Sequence, residues 1–129
     1  MRKAFLPLLV LSAAMFAYAP IYIASAPYES TMLLIQKIFY FHFPAWMAVT
    51  LGLVVCGVSS ALYLFNGSAR ADRIGAASAE LIVVFTAFGL VSGSLWARKA
   101  WGVWWVWDPR LTLSLVLWMI FGAYLLLRK

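Results

Sequence analysis

Five of the chain's seven tryptophans fall within one stretch, WARKAWGVWWVWDPRLT (96–112). Trp101, Trp104, Trp105 and Asp108 stand at i, i+3, i+4 and i+7, the spacing of one helix face. Pro109 disfavours helical backbone at Asp108, so a helix carrying these residues ends there. The spacing therefore predicts a short amphipathic piece at the membrane surface, capped by Asp108. Tryptophan gathers at membrane interfaces because its ring is apolar and its N–H polar, and an aromatic belt would account for one or two such residues. Trp101, Trp104, Trp105 and Trp107 within seven residues exceed what anchoring needs. A row of indoles also suits a flat, apolar, polarizable ligand with a wet edge, such as haem. Its macrocycle would lie on the four rings and its propionates would seek cations. Arg98, Lys99, Arg110 and Lys37 are the candidates. Arg98 and Arg110 rank first, because guanidinium pairs a carboxylate bidentately. Each could equally be an interfacial cation with its stem along the apolar surface. The residues alone leave belt and binding surface both open.

The second feature is the only histidine, His42, in FYFHFPAW (39–46). Pro44 suits a first helical turn, which places His42 just before a helix N-terminus. The helix dipole and the apolar surroundings there favour the neutral imidazole, the form that ligates iron. A lone interfacial histidine is also a common hydrogen-bonded structural group. Its position on the same side as the tryptophan segment favours the ligand reading. The single cysteine, Cys56, lies inside an apolar run, and no CxxC or CxxCH is present. Disulfide exchange and covalent haem attachment at this chain's own cysteine are not expected.

The elements that must hold these residues are membrane spans. The chain is 66% hydrophobic and 11% charged, against about 25% charged in soluble domains. Apolar runs at 5–24, 44–65, 74–95 and 111–127 are each long enough, or nearly so, to cross a bilayer, and spans without two-residue alternation are helices. The expected fold is an all-α membrane helix bundle of about four spans in one domain, 1–129, with the tryptophan-rich segment 96–110 on its outer face. The net charge of +6 does not indicate nucleic acid, because its cations sit at span ends, where topology signals are placed. Arg2, Lys3, Arg70, Arg73, Arg128 and Lys129 on one side outnumber Lys37, Arg98, Lys99 and Arg110 on the other. This bias puts both termini in the cytoplasm. Met1-Arg2-Lys3 and the first run could be a signal peptide cut after Ala24-Ser25-Ala26. The length of the run and Pro27 after the cut favour a retained span. Gly89 and Gly93 form a GxxxG in the third run, and Gly52 and Gly57 thin the second, so these two spans are expected to pack.

WGVWWVWDPRLT (101–112) closely resembles the tryptophan-rich (WWD) signature of the haem-handling proteins of cytochrome c biogenesis, and is nearer to haem exporter protein C (CcmC) than to its larger relatives. IFYFHFPAWM (38–47) is similar to that family's segment before its second span. The resemblance implies binding of haem b, non-covalent and transient, at the outer face of the bacterial inner membrane, and its delivery to a periplasmic haem chaperone beside ABC-type transporter subunits. It implies that His42 is an axial iron ligand and that the tryptophan segment presents haem. Family members are longer and carry a second ligand histidine beyond the fourth span. The expectation here is a truncated product, a fragment or one half of a split protein. No nucleophile or acid–base pair suggests an enzyme. The competing reading is a structural or scaffold subunit whose tryptophans only anchor it. A channel for haem through the spans is weaker, because Glu80, near the cytoplasmic end and with Arg73 as a partner, is the one clearly intramembrane ionisable residue.

Overall fold

The structure, a computed structural model, describes residues 2–128, and the side chains of 4–128. It is all-α: α1 (Arg2–Ser25), α2 (Gln36–Asn66), α3 (Ala69–Trp101) and α4 (Pro109–Leu127). All four helices are long and apolar enough to cross a membrane, as expected of a multi-pass membrane protein. Within the expected domain 1–129 the chain divides into two compact units, 1–40 and 41–129. The side chains of Arg2 and Lys3, and Lys129, which enter the charge bias, lie outside the described residues.

The first unit holds α1 and the connection after it. Pro7 and Pro20 lie inside α1, which membrane helices tolerate. In the connection, Glu29 Oε2 accepts the backbone N–H groups of Thr31 (2.9 Å) and Met32 (2.6 Å). These bonds hold its carboxyl below the usual range. Lys37 Nζ donates to the Ala24 carbonyl at 2.6 Å and lies 4.6 Å from the Tyr28 ring centroid. This candidate cation therefore already has partners within its own unit.

In the second unit α2 turns into α3 through Gly67 and Ser68 alone. Gly67 takes φ +62°, where a side chain would be strained, and its N–H reaches the Tyr63 carbonyl at 2.8 Å. Ser68 caps α3 by accepting from Ala71 N at 3.3 Å. Arg70 and Arg73, expected in a polar connection, thus belong to the first turns of α3. The core is Val49, Cys56, Ala79 and Ile82, covered by Leu53, Leu117, Phe121 and Leu125. A Cβ at Gly52 would stand 2.9 Å from Ile82 Cγ1, so α2 and α3 touch closely there. Trp118 Nε1 donates to the Val83 carbonyl at 3.1 Å and ties α4 to α3. Arg128 pairs with Asp72 and donates to Tyr124 Oη at 2.6 Å. Glu80, expected beside Arg73, is exposed and takes part in neither ion pair found among the described residues.

Two helices exceed their expected lengths by more than a turn at one end or both. α2 begins at Gln36 and carries Pro44 inside it, so His42 lies in the second turn and not before the N-terminus. Pro44 lacks the N–H that would bond the Tyr40 carbonyl, but an apolar segment still satisfies its other backbone groups best as helix. The dipole fades within the first turn, so it no longer acts strongly on His42. α3 runs through Trp101, and its 33 residues make a rod of about 50 Å, longer than the roughly 30 Å of hydrocarbon it has to cross.

Candidate functional site

His42 and Trp46 are four residues apart on α2 and share a face, and both rings rest on the glycines of α3. A Cβ at Gly93 would come within 3.1 Å of His42 Cε1, and one at Gly89 within 2.9 Å of Trp46 Cε2. The GxxxG does more than bring two helices together: it makes room for these two rings. His42 Nδ1 lies 2.9 Å from Ser92 Oγ, and that hydroxyl donates to the Phe88 carbonyl at 2.8 Å. With the serine proton so committed, Nδ1–H is the donor to Ser92 Oγ, an assignment made from the hydrogen-bond network. Trp46 Nε1–H donates to His42 Nε2 at 3.1 Å. Both bonds are satisfied by one species, the neutral imidazole with its lone pair on Nε2.

Beside these rings is a cleft of about 310 Å³, lined by His42, Trp46, Trp96, Trp101, Arg110 and Ser114, with Gly89 and Gly93 at its wall. This volume sits at the lower end of the roughly 300–1,000 Å³ typical of ligand sites. Helix ends position the cleft's rim. Gly102, at φ +77°, closes α3 in a left-handed turn that favours glycine. Arg98 donates to the Gly102 carbonyl, and its Cζ lies 5.9 Å from the Trp104 ring centroid. Asp108 caps α4, with Oδ1 accepting Leu111 N–H at 2.7 Å and Oδ2 pairing with Arg110 at 3.2 Å. The Leu111 bond first, then the Arg110 charge, hold the Asp108 carboxyl below the usual range, so it is ionised at neutral pH. The Arg110 guanidinium, largely exposed, stands 5.8 Å from the Trp101 ring centroid.

Of the residues singled out from sequence, His42, Trp101 and Arg110 meet in this cleft, and Asp108 holds Arg110. Trp104, Trp105, Trp107 and Arg98 do not line it. The helical face expected across 101–108 is not formed, because the chain is irregular from Gly102 to Asp108. Nor do the indoles stack flat. Trp96–Trp101 and Trp105–Trp107 meet edge to face, with centroids 5.1 and 5.6 Å apart, as the ring quadrupole favours. Trp104 and Trp107 are exposed, whereas the Trp105 N–H is shielded without an acceptor among the described residues. Sequence reasoning missed Trp46, Trp96 and the role of Ser92. The signal was present: 42 and 46 are spaced i, i+4 opposite 89 and 93, which becomes visible once a helix is carried through Pro44.

Comparison with known proteins agrees with the motifs. The family model described as "Cytochrome C assembly protein" matches residues 1–129. The chain is 33% identical over 109 residues to a putative cytochrome c biosynthesis ccmC-like mitochondrial protein of Marchantia polymorpha, covering 84% of this chain and 46% of that protein. It is 35% identical over 92 residues to heme exporter protein C of Paracoccus denitrificans (strain Pd 1222), covering 70% and 38%. It is 41% identical over 64 residues to cytochrome c biogenesis protein CcsA of Prochlorococcus marinus (strain MIT 9215), covering 50% and 21%. The chain thus spans less than half the length of each of these relatives. Matched along its whole length by the family model, and similar to ccmC-like and heme exporter C proteins over most of it, the chain belongs to the cytochrome c assembly protein family.

Proposed function

We propose that this chain binds haem at the outer face of the bacterial inner membrane and delivers it to a periplasmic haem chaperone, beside the ABC-type transporter subunits of cytochrome c maturation. Haem b is the cargo, held non-covalently and transiently, and the role is binding and transfer without chemistry on a substrate bond. The observation that carries this reading is a neutral imidazole, its tautomer held by Ser92, set in an aromatic cleft with a guanidinium at the rim. His42 Nε2 is the axial ligand to iron. Trp96 and Trp101 are apolar walls for a macrocycle edge, and Arg110, oriented by Asp108, meets a propionate. Trp104, Trp105 and Trp107, with Arg98 beside Trp104, form the outward surface where cargo and chaperone meet. A relative named heme exporter protein C supports the same cargo.

The test is the haem spectrum of the purified protein. Wild type is expected to carry a Soret band that His42→Ala loses at equal protein yield. One observation favours a second reading, a scaffold subunit without haem: both ring nitrogens of His42 are already bonded within the protein, as in a structural histidine. No band in wild type decides for it, whereas an unchanged band in His42→Ala keeps the haem and removes His42 as its ligand. Both termini face the cytoplasm in this scheme. A reporter active only outside the membrane is therefore expected to be silent when fused after Lys129, and strong activity there would reverse the orientation.

A further inference from the structure

We infer that the Trp46 indole N–H is a reversible cap on His42, occupying the Nε2 lone pair that an incoming iron needs. The inference rests on the haem reading above and adds the residue that governs entry and release. The imidazole has one lone pair outside its ring π system. Nδ1 carries the proton and donates it to Ser92 Oγ, whose own proton goes to the Phe88 carbonyl. The lone pair is therefore on Nε2, and Trp46 Nε1–H points at it from 3.1 Å. A nitrogen with a single lone pair cannot accept this hydrogen bond and coordinate a metal at once. Iron and indole N–H exclude each other.

The surroundings keep the cap in place and let it open. Trp46 is one helical turn from His42 on the same helix, so the bond requires no separate element to dock. Gly89 gives the indole its seat, with ring atoms 2.9–3.1 Å from where a Cβ would be. The indole also lines the cleft, so a small rotation frees Nε2 while leaving an aromatic wall beside the cargo. Binding then exchanges a hydrogen bond for a coordination bond, and release restores the hydrogen bond. This exchange lowers net affinity and spares His42 an unsatisfied acceptor in the empty protein, both useful to a protein that must give its cargo away.

His42 is the only histidine in the chain, so its chemistry can be read without interference. The full chain in detergent is treated with diethyl pyrocarbonate, whose carbonyl a free imidazole lone pair attacks with loss of ethyl carbonate, and separately titrated with hemin. Trp46→Phe keeps a ring and removes the N–H. It is expected to be modified about fivefold faster than wild type and to bind hemin about fivefold more tightly, the weight of one net hydrogen bond. Gly89→Ala retains the indole but pushes it off its seat, and is expected to speed modification likewise. A merely loosened helix pair would also speed modification, but it would lower the melting temperature and weaken hemin binding, the opposite sign. Equal modification rates in wild type and both variants overturn the cap. Faster modification with unchanged or weaker hemin binding overturns its competition with the cargo. Faster modification at unchanged melting temperature, with no Soret band in any of the proteins, upholds the cap and instead overturns the haem reading.

Discussion

Helix α3 is packed at both ends against its neighbours, and the two ends are built from different polar chemistry. Near its start, Asp72 pairs with Arg128, which also bonds Tyr124, around a cleft of about 240 Å³. Gly75 lies close to α2 there, but a Cβ would find Ser59 Cβ no nearer than 3.6 Å, an ordinary contact. Toward its other end the bonds around His42 are neutral, from Trp46 to His42 to Ser92, and the glycines admit rings at 2.9–3.1 Å. Opposite charges that neutralise each other hold two helix ends together and have little to offer a third group. A neutral imidazole in an aromatic cleft can exchange one partner for another. The contrast separates a fastening from a site, although both arise where small residues let helices approach.

The largest expected effect comes from closing the aromatic end. Gly93→Val places branched carbons where the imidazole now sits, and overpacking of this kind costs about 1–3 kcal/mol. The haem-to-protein ratio after purification should fall about tenfold or more, since about 1.4 kcal/mol is tenfold. Gly75→Ala, at the charged end, should leave that ratio unchanged. If the two variants behave alike, the contrast fails.

A smaller effect is expected from the indoles. Each well-packed aromatic contact contributes on the order of 1 kcal/mol beyond its burial. Trp101→Phe, in the cleft, should weaken haem retention severalfold with insertion and abundance intact. The double change Trp104→Phe and Trp105→Phe should also weaken it, because these rings form the presenting surface. Loss on Trp101→Phe alone would restrict the site to the cleft. Equal retention in all three proteins would reduce the segment to an aromatic belt.

The smallest effect belongs to the charged end. Asp72 and Arg128 are each about a third exposed, so solvent screens the pair. Asp72→Asn should lower the melting temperature only slightly at low salt and not at all at high salt, with the haem-to-protein ratio unchanged. A clear loss of haem in this variant would show that the two ends of α3 are coupled.

Much of this was legible from residues in order along the chain. Four apolar runs in a chain with few charges leave helices as the way to satisfy the backbone in lipid, and four helices are present among the described residues. Asp108 before Pro109 reads as the cap of the tryptophan-rich piece, but in the structure it caps the start of α4 instead. The family was legible too, because WGVWWVWDPRLT and IFYFHFPAWM are long, specific strings. Helix ends were less so. Pro44 reads as a boundary by local preference, but α2 continues through it, because an unbonded backbone in an apolar setting costs more than a locally unfavourable residue; the break read across 66–73 shrinks to Gly67 and Ser68.

The sequence by itself determined the spans, the family and the choice of His42, Trp101 and Arg110 as candidate residues, since each rests on local composition or on a contiguous motif. Only the tertiary structure decided which tryptophans share a cleft with the histidine. Trp46 and Trp96 joined it, while Trp104, Trp105 and Trp107 lay outside, because Gly102 ends α3 and turns the chain off the helical spacing that would have aligned them. The structure also decided the state of His42. Ser92 is 50 residues away in the chain, and no local spacing can reveal that its hydroxyl, held by the Phe88 carbonyl, leaves the imidazole lone pair on the nitrogen that faces Trp46.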